Sequence, residues 1–131
     1  MQTDPGAEAD LAVIDIDRFL KILRVELVSL CENLELRVRQ YRERDQRHEI
    51  TEHVYLENVA VLQNEECGCQ HFLHILDAVR PAAGGSVAAV AAHLRDKYRE
   101  VIRHSGLAQA ALILAEEKIA QVERYVRGPD R

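Results

Sequence analysis

Tryptophan is absent from the 131 residues, and two Phe and four Tyr leave aromatics at only 5%. Strand formers of the Tyr/Phe/Trp/Thr kind are scarce, while Ala, Leu, Glu, Arg and Gln abound, a balance that favours helix. Breakers are few as well, three Pro and six Gly, so the helices they punctuate are long. No apolar run approaches the roughly 20 residues of a membrane span, and no membrane association is expected. Met1-Gln2-Thr3-Asp4-Pro5-Gly6 carries neither the basic flank nor the apolar block of a signal peptide. There is no excess of positive charge: 17 Lys and Arg face 22 Asp and Glu, for a net −5. That balance gives no electrostatic case for nucleic acid or an anionic membrane surface. Cysteine is limited to three, an odd number, and Cys67 and Cys69 are too close on a helix to pair. Such a thiol set fits a reducing cytoplasm.

What the sequence does have is aliphatic bulk, with 47% of residues hydrophobic. A chain of this length buries roughly two thirds of its unfolded surface and needs no staples. The expected fold is all-α, an antiparallel bundle of four helices, or three long ones if the chain stays helical through Gly106. Residues 1–9 read as a flexible leader and 10–128 as a single helical-bundle domain.

The first helix is expected to start at Asp15 or Asp17, either of which suits a helix N-terminus. Its seam, Ile16, Leu20, Leu23, Leu27, Leu30 and Leu34, follows coiled-coil 4-3 spacing. After Tyr41 the pattern dissolves into Arg42-Glu43-Arg44-Asp45-Gln46-Arg47-His48, either an exposed helix end or the turn itself. A second helix spans about Ile50 to Val79 and is stopped by Pro81 and Gly84-Gly85. It carries two neighbouring seams, both apolar at the ends and polar in the middle. Ser86 caps a third helix with the seam Val87, Ala91, Leu94, Tyr98 and Val101. Arg103-His104-Ser105-Gly106 reads as a helix C-terminus, followed by a fourth seam through Leu112, Ala115, Ile119, Val122 and Val126. The 4-3 register nevertheless passes unbroken through Ser105, which keeps the three-helix alternative open.

Cys67, His71 and His74 share a helix face at i, i+4 and i+7, and thiolate and imidazole are ligands that zinc and other transition metals prefer. An i to i+7 span of about 10 Å lets an ion take two adjacent members, so a complete site needs ligands from another helix. The competing reading makes the histidines surface residues and the cysteines small apolar packers. No histidine has a Glu three residues before it, which excludes the Glu-x-x-His pattern of di-iron bundles. His48/Glu52 and His53/Glu57 read as solvated pairs. His104-Ser105-Gly106 lacks the lysine of a phosphotransfer site, and no phosphate loop or nucleophile elbow is present. Asn58, Glu65 and Glu66 occupy seam positions that ought to be apolar. Polar groups there fix register or meet a partner, lie at the rim of a wide face, or serve chemistry.

Long seamed helices in a small acidic chain look like the layout of the bacterial flagellar and secretion export chaperones, helical hairpins that hold partner helices. The resemblance lies in layout, covers no motif, and implies a partner helix held in a groove. The sequence therefore points to a non-enzymatic module that binds a protein partner or forms a homo-oligomer, at least a dimer, with no cofactor. Zinc or another transition metal on the Cys67/His71/His74 face is the alternative.

Overall fold

A computed structural model describes residues 5–80, 85–107 and 109–128, with side chains from residue 11 onward. The described residues form four α-helices: α1 (Pro5–Gln46), α2 (Glu52–Ala78), α3 (Val87–Ser105) and α4 (Gln109–Arg127). No strand occurs among them.

Helix α1 starts ten residues earlier than its carboxylates suggested. Residues 5–9, read as leader, are helical in backbone, and residues 1–4 lie outside the described residues. Proline suits the first helical position because its fixed φ matches the helix and it has no N–H to leave unpaired. Ala7, Ala9 and Ala12 then favour propagation. Asp15 and Asp17 do not cap; they lie mid-helix, 3.9 Å from Arg18 and 2.9 Å from Lys21.

At the other end the charged run stays helical to Gln46, and the turn lies beyond it. The Glu49 N–H donates to Arg44 O (2.9 Å) and the His48 N–H to Asp45 O (3.0 Å). That is the Schellman pattern, and His48 holds its left-handed position with φ 59°. Thr51 caps α2 by accepting from the Val54 N–H at 3.2 Å, and Ser86 caps α3 by accepting from the Ala89 N–H at 3.1 Å. The chain leaves helix at Gly106, whose φ of 70° is the left-handed conformation of a C-terminal stop.

The main core joins all four helices around Phe19, Leu23 and Leu27 of α1, Phe72 and Leu76 of α2, Leu94 and Tyr98 of α3, and Ala115 and Ile119 of α4. Phe72 and Tyr98 stack with centroids 4.4 Å apart, and the Tyr98 hydroxyl donates to Phe72 O at 3.1 Å. Burial raises the Tyr98 pKa well above its ordinary range. In α3 the buried seam ends on Ile102, with Val101 only half-buried. Of the four alanines near its start, Ala91 alone is buried; Ala88 is half-buried, and Ala89 and Ala92 are exposed.

A second, smaller cluster holds Leu34, Val38, Val59, Leu62 and Cys69, all from α1 and α2. Its position follows from helix length, since α1 and α2 have 42 and 27 residues but α3 and α4 only 19 each. Contacts descend α2 as they climb α1, from Arg24–Asp77 (3.0 Å) to Cys31–Cys69 (2.6 Å). Arg95–Glu123 (3.2 Å) and Arg99–Glu116 (2.7 Å) make the same progression between α3 and α4. The α3–α4 turn reaches α2 at Gly68, where an added Cβ would stand 2.8 Å from Ala111 Cβ and 4.0 Å from Leu107 Cδ1. Beyond that level α1 and α2 continue as a two-helix arm of roughly 20 Å, at 1.5 Å per residue.

Candidate functional site

The six residues singled out from sequence all lie on α2, on two sides of it. Cys67, His71 and His74 are exposed, on the side away from Gly68 and Phe72, which are buried. Cys67 and His71, one turn apart, are the pair best spaced to share an ion. Among the described residues, no group of three or more His, Cys, Asp and Glu stands close enough to hold a metal. Any metal there would take further ligands from outside them.

Asn58 is half-buried, and its amide donates to Val54 O at 2.8 Å, a bond within its own helix. Glu65 and Glu66 are half-buried on the flank of α2. Glu66 accepts from Gln70 Nε2 at 3.5 Å, and its charge disfavours ionisation of both Cys31 and Cys69. None of the three is joined to the Cys67/His71/His74 group by a hydrogen bond or ion pair in these contacts.

What sequence reading missed is the bare side of the arm. Val54, Asn58 and Val61 continue, at heptad spacing, the face of α2 that meets α3 and α4 through Gly68 and Phe72. Val54 is 38% and Val61 53% exposed, because α3 and α4 do not extend this far. On α1, Arg37 and Arg44 lie one and two heptads beyond Leu30. They line a groove of about 400 Å³ with Gln40, Tyr41, Glu43 and Arg47. The Arg44 guanidinium sits 5.8 Å from the Tyr41 ring centroid, a cation–π contact. Leu36 and Leu56 add apolar surface elsewhere on the arm. The second α2 seam carried this signal, since its apolar residues outnumber those that a nineteen-residue α3 or α4 can cover.

The other missed feature is a cysteine pair. Cys31 and Cys69 are each nineteen residues from Ile50, so a helical hairpin folded there sets them opposite one another. No helix among the described residues is long and apolar enough to cross a membrane. Comparison with protein-family models, curated proteins and solved structures finds no match for this chain.

Proposed function

We propose that the chain is a non-enzymatic helical interaction module, an antiparallel four-helix bundle whose projecting arm associates with a second copy. The observation that carries the reading is the stripe Val54–Val61: Val54 is 38% and Val61 53% exposed, where the same face further along α2, at Phe72, is core. Side chains that are buried along one half of a helix and bare along the other mark a surface awaiting a partner. A second copy suits it because the arm has cations, Arg37 and Arg44, along its α1 edge and Glu65 along its α2 edge. Two arms related by a two-fold axis can set each edge against its complement.

Light scattering of the full chain at micromolar concentration is expected to give at least a dimer mass. Val61→Lys, at a position half exposed, is expected to shift that mass to one chain with unchanged helical circular dichroism. A single-chain mass for the unaltered protein throughout that range overturns self-association. The second reading, zinc or another transition metal on Cys67 and His71, rests on their common exposure one turn apart on α2. Elemental analysis of protein purified without a histidine tag decides it.

A further inference from the structure

Cys31 and Cys69 place their Sγ atoms 2.6 Å apart across the α1–α2 interface, at the level where the four-helix body gives way to the arm. No water or other heavy atom fits between sulfurs at that separation, and about half an ångström of movement brings them to the S–S bond length of about 2.05 Å. Both are free thiols. Cys69 is held in place by donating to Leu27 O at 3.3 Å, and it is almost wholly buried, at 1% exposure. Cys31 is only half-buried, so solvent reaches the pair from its side. The exposed Cys67 lies two residues before Cys69, and on a helix that spacing turns it to the opposite side.

The two thiols are chemically unequal. The hydrogen bond between the two side chains lowers the Cys31 pKa, against burial and the charges of Glu66 and Glu32. Cys31 is the sulfur a small disulfide can reach, and Cys69 lies buried directly behind it, the division of labour of an attacking and a resolving cysteine.

We propose that Cys31 and Cys69 form a dithiol–disulfide site that low-molecular-weight disulfides oxidise to a covalent link between α1 and α2. The Cys31 thiolate attacks one sulfur of the small disulfide, forming a mixed disulfide and releasing one small thiolate. Cys69 then loses its proton to solvent and attacks the Cys31 sulfur, releasing the second small thiolate. Two electrons pass from the protein pair to the small disulfide, which leaves as two thiols. The link closes a loop of 38 residues' separation and ties the base of the arm to the body. Cys67 takes no part.

The full chain is equilibrated with reduced and oxidised glutathione, quenched in acid, alkylated with a maleimide under denaturing conditions and weighed intact. The reduced chain is expected to label three times and the oxidised chain once, at Cys67, with the mass of two hydrogens lost. Cys67→Ser is expected to form the same link and then to label not at all. Cys69→Ser is expected to stop at a glutathione adduct on Cys31. Oxidation that joins Cys67 to another chain or to glutathione while Cys31 and Cys69 both still label overturns the proposal. So does a Cys67→Ser chain that keeps two labels in oxidised glutathione.

Discussion

Replacing Gly68 by alanine sets two effects against each other, and the structure says which is larger. Alanine is the better helix former by about 1 kcal/mol, so at an exposed site Gly68→Ala would stabilise α2. Here the new methyl would stand 2.8 Å from Ala111 Cβ, a carbon fixed to its own backbone with no rotamer to escape into. Only separation of α2 from α4 relieves the clash, and overpacking of that kind costs roughly 1–3 kcal/mol in a close-packed interior. Because the separation also loosens the buried Cys69 and Phe72 that follow Gly68 in α2, the upper part of that range applies. Net destabilisation of about 1–2 kcal/mol is expected, which lowers a urea midpoint by roughly 0.5–1 M. Ala111→Gly alone also destabilises, through lost helix propensity. Combined with Gly68→Ala it removes the clash, so the double variant is expected to be more stable than the summed single effects by about 1 kcal/mol or more. A Gly68→Ala midpoint above that of the parent, or strictly additive effects with Ala111→Gly, would show that the helices do not meet at this point.

Gly106→Ala is expected to destabilise by about 1 kcal/mol, visible in the denaturant midpoint. An added Cβ there meets nothing within 4 Å, so the cost is that of φ 70° alone, and a stabilised variant would mean an unbroken helix. Tyr98 makes stability fall at high pH. Its folded pKa is raised above the ordinary 10.0 by burial, so its contribution is complete below that value and is lost as pH climbs toward the folded one. Tyr98→Phe is expected to cost about 1 kcal/mol at neutral pH, for the bond to Phe72 O, and to flatten the alkaline decline. An alkaline decline as steep as the parent's would assign it to other groups.

Much of the bundle was legible because each helix writes its buried face in its own spacing. Leu112, Ala115, Ile119, Val122 and Val126 are all buried in α4 as their 4-3 pattern implies, and the start of α3 at Ser86 and its stop at Gly106 follow from single residues with strong local preferences. The start of α1 was not legible from carboxylates, since Asp serves equally at a cap and in a surface ion pair. Contacts between helices are the larger gap. Gly68 reads as a mid-helix weakness until Ala111 is seen against it, and Cys69 looks like the neighbour of Cys67 although its partner is Cys31. Spacing within one helix reports which residues turn inward but says nothing of what they meet there. Cys67, His71 and His74 were placed on one exposed face of α2 by the same spacing, which names no ligand from another helix.

The unequal lengths of the two helical hairpins also determine how the molecule breathes. Among the described residues eighteen buried side chains hold the body and five hold the arm, so the arm is expected to open at a lower free energy than the whole domain. Its amides, from Leu34 through the His48 turn to about Leu62, are expected to exchange with solvent by local unzipping from the tip, which hydrogen-exchange measurement checks. The unzipping halts at Cys31, Gly68 and Cys69, where α4 first braces α2. Since α1 crosses that line as one continuous helix, the body keeps its structure while the arm frays, and two rates of hydrogen exchange coexist along a single helix.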